Sequence, residues 1–376
     1  MATYPGIPAE VTSKHLLVHD LKVHFFEARP ATAAPLIVLL HGFPESAYSW
    51  RKVLVPLSIA GYHVVAPDLR GYGETTTGAN PSKSVEYDDD LSPFRLFNLV
   101  RDIVSFVYAL GYDSVAAVVG HDYGSSIAGY CATIRPDLFK SVVLMSAPFT
   151  GPPKLTFSGP TPHQVLMSAI GGLKSLDPPR KHYIMYYSSP EANQDMLNAP
   201  QGLHTFLREY FHMKSADWDR NDPHPLKPNA SSVSTLPHYY IMLQDKTMPQ
   251  SVQGSFSGPA PDWLSDEELG VYVHLWSQTG FQGGLNHYRC VIDAKWSDDL
   301  LVFSGKKIEV PAMFIGGKKD WGVYQYPGAI DLMRHQVCVK MDEQDFVLLD
   351  GAGHWAQQEK SGAVVEHLLR FLNKVR

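Results

Sequence analysis

The segment "GHDYGSS" (Gly120–Ser126) has the spacing of a nucleophile turn, but its central residue is an aspartate. In the Gly-x-Ser-x-Gly pattern, a serine sits on a strained strand-to-helix turn that exposes its hydroxyl. Asp122 presents a carboxylate instead, which is ionised at neutral pH because its ordinary pKa is about 3.9. A carboxylate can displace a leaving group from sp³ carbon without help from a base, giving an ester. This turn therefore predicts alkyl transfer rather than acyl transfer.

Two further reactive side chains follow strand-like runs near the end of the chain. Asp320 comes after "VPAMFIGGKK" and His354 after "DFVLLDGAG". Catalytic groups of an open parallel sheet collect where the strands end, so these two and Asp122 are expected to meet. A single strand-end aspartate is more often a helix cap, but nucleophile, acid and histidine in this order predict a triad. His354 would activate water as a general base, and Asp320 would orient and stabilise its imidazolium.

The first part of the chain alternates strands and helices. Short apolar runs such as "APLIVLL" (Ala34–Leu40) and "SVVLMSAPF" (Ser141–Phe149) are typical of buried parallel strands. Between them, Ser92–Gly111 has helical apolar spacing, a serine able to cap it, and Pro93 in its first turn. Strand, helix and strand in succession predict an α/β fold with a mostly parallel central sheet.

The pattern of helical and strand-like segments changes after Phe149. From Gly151 to about Leu300 there are several helical stretches and few strand-like runs, and residues 215–261 are rich in Pro, Ser and Asn. Strand patterns return near residues 310 and 345, and an amphipathic helix closes the chain at about residues 362–374. We therefore expect a core made of residues 1–150 and 301–376, interrupted by a mainly helical lid over residues 151–300.

Composition excludes several classes of function. The chain has 376 residues, of which 44% are hydrophobic and 19% charged, as in an ordinary globular protein. A net charge of −6 without a basic stripe argues against nucleic acid as a partner. The start of the chain lacks a signal-peptide pattern, and no apolar run is long enough to span a bilayer. With Cys131, Cys290 and Cys338 far apart, a reducing compartment is expected, so we predict a cytoplasmic protein without a membrane anchor.

No cofactor or metal is expected. The sequence contains neither a dinucleotide-binding GxGxxG after a strand nor a phosphate-binding P-loop. The acidic run "EYDDD" (Glu86–Asp90) lacks the alternating ligands and turn glycine of a calcium loop, so we interpret it as a solvated loop.

Four motifs together resemble a known family. "HGFPES", "GHDYGS", "GGKKD" and "GAGHW" are similar to segments of the epoxide hydrolases of the α/β-hydrolase fold, whose near relatives are the haloalkane dehalogenases. The resemblance implies a mostly parallel sheet flanked by helices, with an inserted helical lid. It also implies that the backbone N–H groups of Phe43 and Tyr123 stabilise the oxyanion that develops on Asp122. The Phe43–Pro44 peptide bond would be cis, as it usually is in this family.

The same resemblance indicates how the leaving group is handled. Members that open epoxides use two lid tyrosines, because the departing alkoxide is a strong base that needs a proton donor. "GGLNHYR" supplies Tyr288, and "HYIMYYSSPEA", registered on Pro190, supplies Tyr183. Tyr186 and Tyr187 remain open alternatives, since one helical turn could exchange them with Tyr183.

Two other functions are weighed against epoxide hydrolysis. A haloalkane or haloacid dehalogenase would use the same covalent aspartate, but dehalogenases of this type usually have Trp after the nucleophile, where this chain has Tyr123. A non-catalytic receptor on the same fold would be expected to lack a triad member. We interpret His121 as a packed structural histidine and the Tyr239–Tyr240 pair as lid core. The predicted partner is a small apolar or aromatic epoxide, and an oligomer is possible.

Overall fold

The computed structural model describes residues 4–77, 84–159 and 162–376. Most of its strands join one sheet, in the spatial order β1-β2-β4-β3-β6-β7-β10-β11, with β5 on β2 and β12 on β10. The strand bounds are β1 Thr12–Val18, β2 Leu21–Ala28, β3 Leu36–Leu40, β4 His63–Pro67, β5 Thr76–Thr77, β6 Val115–His121, β7 Val142–Met145, β8 Arg180–His182, β9 Ile241–Leu243, β10 Ile308–Gly317, β11 Cys338–Lys340 and β12 Phe346–Leu349.

The sheet is antiparallel at one side and parallel elsewhere. β1, β2 and β4 pair antiparallel, whereas β4, β3, β6, β7, β10 and β12 pair parallel in succession. The central strands β3 and β4 are buried along their whole length, which explains their continuous apolar sequences. Since these parallel strands end at the same edge, the loops after β3, β6, β10 and β12 come together there.

Helices cover the sheet and fill the long connection between β7 and β10. Their bounds are α1 Leu54–Ile59, α2 Leu96–Ala109, α3 Tyr123–Ile134, α4 Pro162–Gly172, α5 Tyr183–Tyr187, α6 Ala192–Leu197, α7 Leu203–Lys214, α8 Ala230–Val233, α9 Met248–Val252, α10 Asp266–Thr279, α11 Gln282–Ile292, α12 Ala329–Leu332, α13 Ala356–Glu359 and α14 Ser361–Val375. The two short strands β8 and β9 form a separate antiparallel pair within that connection. No helix of the described residues is long and apolar enough to cross a membrane.

One helix boundary differs from the sequence expectation. Residues Ser92–Phe94 form a separate 3-10 turn, Arg95 is extended, and α2 begins only at Leu96. The Ser92 hydroxyl donates to the Asp90 carboxylate, so it does not cap the helix. The expected serine cap was wrong because a neighbouring acceptor competes for that hydroxyl.

Candidate active site

Asp122 stands at the point where β6 passes into α3. Its φ of 53° lies in the left-handed region, which a residue with a side chain adopts only when the surrounding structure enforces it. A hydrogen bond from the Asp122 N–H to the Met145 carbonyl (3.1 Å) helps to hold this turn. The carboxylate therefore sits at the N-terminus of α3, where the unpaired N–H groups of the first turn favour negative charge.

The loop after β3 approaches Asp122 closely. A Cβ atom on Gly42 would lie 2.4 Å from the Asp122 Cβ, so only glycine permits this approach. The Phe43 N–H donates to Asp122 Oδ1 (3.1 Å), and the Phe43–Pro44 bond is cis as expected. Tyr123, whose N–H is the other expected donor, is the first residue of α3. Within the described chain, no hydrogen bond joins that N–H to the Asp122 carboxylate.

His354 connects the other two predicted triad members. Its Nδ1 lies 3.0 Å from Asp320 Oδ1, and its Nε2 lies 3.3 Å from Asp122 Oδ2, without hydrogen-bond geometry at that second contact. Because a carboxylate only accepts, Nδ1 carries a proton, and Nε2 is the ring nitrogen that faces Asp122. The Gly322 N–H also donates to Asp320 Oδ1 (2.7 Å), which fixes the orientation of that carboxylate.

The electrostatic surroundings keep Asp122 ionised. Burial opposes its charge, but His354 and, more weakly, Lys214 and His121 lower the pKa of Asp122 well below its ordinary value. Asp122 is therefore a carboxylate at neutral pH, as an attacking oxygen must be.

Tyr183 and Tyr288 reach the same place from the long connection between β7 and β10. Tyr183 is the first residue of α5 and Tyr288 lies in α11, with ring centroids 5.8 Å apart. Close packing explains why the Tyr288 motif has glycine at position 283. A Cβ atom on Gly283 would lie 2.4 Å from the Gly71 carbonyl oxygen. α11 can therefore pack directly on the loop after β4.

The structure also separates Tyr183 from its two neighbours in sequence. The Tyr187 hydroxyl donates to the Tyr210 hydroxyl (3.1 Å), and the Tyr186 hydroxyl donates to Asp195 Oδ2 (3.0 Å). No hydrogen bond joins the Tyr183 hydroxyl to any residue in the described ranges, and the same holds for Tyr288. Of these three hydroxyls, only that of Tyr183 is without a hydrogen-bond partner among the described residues.

A cavity of about 370 Å³ brings these groups together. Its lining comprises Leu96, Asp122, Tyr123, Ser126, Tyr130, Ala147, Pro148, Phe149, Thr150, Gly151, Tyr183, Ile184, Tyr288, Val291, Gln325 and Tyr326. This volume falls within the range of small-molecule sites. Its wall is mainly apolar and aromatic, and Asp122, Tyr183 and Tyr288 all line it.

Both tyrosines are phenols at neutral pH. Burial is the main cause that raises the pKa of each well above its ordinary value, and the charge of Asp122 raises both further. Each hydroxyl can therefore donate a proton or a hydrogen bond to a molecule in the cavity.

The tryptophan expected of a halide site is missing from the cavity wall. Tyr123 follows the nucleophile, and its hydroxyl donates to the His287 carbonyl (3.4 Å). The described residues that line the cavity include no tryptophan whose indole N–H could hold a halide. The arrangement favours a leaving group that takes a proton from a phenol.

His121 is engaged with Glu45, in agreement with a structural role. Its Nδ1 contacts Glu45 Oε2 (2.6 Å) and its Nε2 donates to the His354 carbonyl (2.7 Å), all within the buried interior. Glu45 Oε1 accepts further hydrogen bonds from Gln357 and Gln358, each at 2.8 Å. Although burial disfavours both charges, their mutual attraction raises the pKa of His121 and lowers that of Glu45.

We expect the Glu45→Gln variant to be less stable by roughly 3 kcal/mol, because it leaves His121 buried without its counter-charge. The interaction with Glu45 raises the pKa of His121, so the charged histidine stabilises the fold fully below about pH 6.5. This contribution is lost as the pH rises through the raised pKa of His121. The same interaction lowers the pKa of Glu45, so the charged glutamate stabilises the fold fully above about pH 4.3. This contribution is lost as the pH falls through the lowered pKa of Glu45. Urea unfolding of both proteins across this range should show the largest difference between about pH 4.3 and 6.5. A difference independent of pH would contradict an ionic interaction.

Lys214 is a charged neighbour that the sequence did not identify. Its ammonium lies 5.0–5.9 Å from the ring centroids of Tyr210, Tyr239, Tyr240 and Trp355. Cation–π contacts of this kind hold a buried positive charge in place. The positive charge of Lys214 contributes to the lowered pKa of Asp122. Lys214 ends α7, and nothing in its local sequence marks it, because three of the four rings around it come from distant segments and only Tyr210 lies in the same helix.

Comparisons with known proteins agree with this architecture. A family profile described as alpha/beta hydrolase fold matches residues 35–164. The chain is 30% identical to epoxide hydrolase 3 of Siraitia grosvenorii, over 96% of this chain and 98% of that protein. It is 31% identical to epoxide hydrolase A of Mycobacterium tuberculosis, over 90% of each. A solved epoxide hydrolase from an endophytic Streptomyces superposes with a TM-score of 0.77 at 27% identity, over 98% of this chain and 97% of that one. The expected α/β-hydrolase fold is thereby confirmed.

Proposed function

The chain belongs to the epoxide hydrolases of the α/β-hydrolase fold, and we propose that it adds water to an epoxide, giving a vicinal diol through an ester on Asp122. One observation supports this proposal: Asp122, Tyr183 and Tyr288 line the same cavity, and neither tyrosine hydroxyl has a hydrogen-bond partner among the described residues. A nucleophile and two proton donors facing one small molecule are what the opening of an epoxide ring requires.

The first step forms the ester. A carboxylate oxygen of Asp122 bonds to an epoxide carbon, the ring C–O bond breaks, and its electron pair moves to the ring oxygen. Tyr183 and Tyr288 donate to that oxygen, and one of them supplies the proton that makes the new hydroxyl. The cavity holds the three groups around the ring, which removes much of the entropic cost of bringing them together.

The charge of Asp122 links the nucleophile to the donors. That charge raises the pKa of both tyrosines before the reaction. As Asp122 becomes a neutral ester, this contribution disappears, and each phenol becomes a stronger acid at the moment when negative charge develops on the epoxide oxygen. Donation is thus strengthened in the transition state relative to the bound substrate, which is what accelerates a reaction.

The second step cleaves the ester. His354 Nε2 takes a proton from water, and the resulting hydroxide adds to the Asp122 carbonyl carbon. The Phe43 N–H, already on Oδ1, stabilises the oxyanion, and the Tyr123 N–H is the proposed second donor. The tetrahedral intermediate collapses, the diol oxygen leaves with its electron pair, and the imidazolium gives its proton to that oxygen. Asp122 is left as a carboxylic acid, and its proton passes to the tyrosinate formed in the first step, which restores both the carboxylate and the phenol. Asp320 stabilises the imidazolium through the Nδ1 contact.

The proposed donors and the proposed triad come from different parts of the chain. Tyr183 and Tyr288 lie between β7 and β10, whereas Asp122, Asp320 and His354 follow strands of the large sheet. We therefore propose that residues 151–300 act as a lid that supplies the proton donors, over a core of residues 1–150 and 301–376.

A product assay tests the proposed function. Purified protein is offered styrene oxide and a 1-haloalkane side by side, and diol and halide are both quantified. We expect diol without halide, and no product from Asp122→Ala, which serves as the matched control. Halide without diol would replace the proposal with a dehalogenase, and diol formation by Asp122→Ala would overturn the covalent role of Asp122.

A further inference from the structure

The cavity contains an amide that the proposed reaction does not use. Gln325 lies just after the 3-10 turn Trp321–Val323 that follows Asp320, and it lines the cavity together with Asp122. Only 5% of its surface is exposed, and its Oε1 is buried without a hydrogen-bond partner among the residues that the structure describes. Nearly all buried polar side-chain atoms are hydrogen-bonded in folded proteins, so an unpaired amide oxygen on a residue that lines a cavity is a candidate for contact with a bound molecule.

The chemistry of this atom indicates what it would contact. A carbonyl oxygen only accepts, so its partner must carry an O–H or N–H group, and the same side-chain amide can also donate through Nε2. A hydroxyl group matches both capacities, since it donates and accepts. The remainder of the wall is mainly hydrocarbon, including Leu96, Phe149, Ile184 and Val291.

We propose that Gln325 selects epoxides that carry a hydroxyl group on an otherwise apolar body, away from the oxirane. This inference rests on the proposed function, and it names the substrate class for that site. Gln325 makes no hydrogen bond to Asp122, Asp320 or His354 within the described residues. It would therefore act on substrate choice, and the chemical steps do not depend on it.

The first measurement uses wild-type protein and a series of terminal epoxyalkan-1-ols of increasing chain length. Each alcohol is paired with its own methyl ether, which keeps the acceptor oxygen but removes the donor. At the chain length that reaches Gln325, we expect kcat/KM for the alcohol to exceed that for the ether by roughly five- to tenfold. Shorter alcohols, which cannot reach Gln325, should show no such preference. Equal values for alcohol and ether at every length would overturn the inference.

The second measurement assigns the preference to this residue. Gln325→Met keeps the length of the side chain but removes the amide, and it should abolish the preference while diol still forms from the ether. Thr150→Val removes a hydroxyl from the same cavity, but Thr150 is exposed to solvent and should leave the alcohol-to-ether ratio unchanged. A preference that survives in Gln325→Met would contradict the assignment.

Failure of this inference is distinguishable from failure of the proposed function. If wild type forms diol from the ethers without preferring any alcohol, only the role of Gln325 is wrong. If wild type forms no diol from any member of the series or from styrene oxide, the proposed function is wrong. Should Gln325→Met not fold, the wild-type series still decides whether hydroxyl selection exists, and Gln325→Asn, which withdraws the amide, should shift the preferred chain length upward.

Discussion

The His354→Gln variant is expected to stop after the first chemical step and to retain the opened substrate as an ester on Asp122. Glutamine cannot take the proton from water, whereas Asp122 remains ionised at neutral pH even with its ordinary pKa of about 3.9. The Phe43 N–H still holds Asp122 Oδ1, so the nucleophile stays in position. We expect turnover to fall by at least about a thousandfold. Intact-protein mass spectrometry should show an added mass equal to that of the whole epoxide.

That added mass separates epoxide opening from halide displacement. Ring opening retains every atom of the substrate, whereas displacement adds only the alkyl group because the halide departs. The control is the double variant Asp122→Ala with His354→Gln, which should gain no mass under the same conditions. If His354→Gln forms diol at the wild-type rate and never gains mass, water attacks the epoxide directly and the covalent step is wrong.

The sequence predicted the triad residues because the parallel sheet converts strand ends into neighbours. Asp320 and His354 follow different strands, and the structure brings His354 within 3.0 Å of Asp320 and 3.3 Å of Asp122. Their catalytic roles remain a proposal. The parallel core was predictable for a similar reason, since strands buried on both faces have continuous apolar sequences that turn residues interrupt.

The motif register favoured Tyr183 as the proposed first donor, but the sequence left Tyr186 and Tyr187 open as alternatives. Tyr183 and Tyr187 are separated by about one helical turn, and motif spacing alone does not say which hydroxyl faces the cavity. The three hydroxyls differ in their tertiary partners. The hydroxyl of Tyr187 donates to Tyr210, and that of Tyr186 donates to Asp195. Such partners come from other helices, and a single sequence does not reveal which helix faces which.

Three polar residues at or near the site escaped prediction for the same reason. Glu45 lies within the "HGFPES" motif, but the motif does not show which residue it contacts, and Gln325 and Lys214 are unremarkable in their local sequences. Glu45 contacts His121 and Lys214 contacts rings that come mostly from other segments, whereas Gln325 Oε1 has no hydrogen-bond partner in the part of the chain that the structure describes. A buried polar side chain must find a partner or a ligand, and only the folded structure shows which of the two applies.

Replacing both Tyr183 and Tyr288 by Phe is expected to abolish epoxide opening. Phenylalanine preserves the rings that pack against each other at 5.8 Å but removes the only proposed proton donors to the departing alkoxide. Loss of one donor typically costs about a hundredfold or more in rate, so we expect a fall of at least about a thousandfold for the pair. Because one tyrosine can partly replace the other, each single variant should lose about a hundredfold. Single-turnover kinetics should place the loss in ester formation, so no mass should accumulate on Asp122.

Tyr187→Phe is the matched control for this double variant. Its ring packs on Tyr288 with centroids 5.1 Å apart, but its hydroxyl donates to Tyr210 and does not line the cavity. It should lose about 1 kcal/mol of folding free energy, the usual net contribution of one hydrogen bond, while ester formation remains rapid. If Tyr187→Phe stops ester formation and the double variant does not, the first donor is Tyr187. If the double variant and Tyr187→Phe both form ester at the wild-type rate, the epoxide oxygen takes its proton from another group.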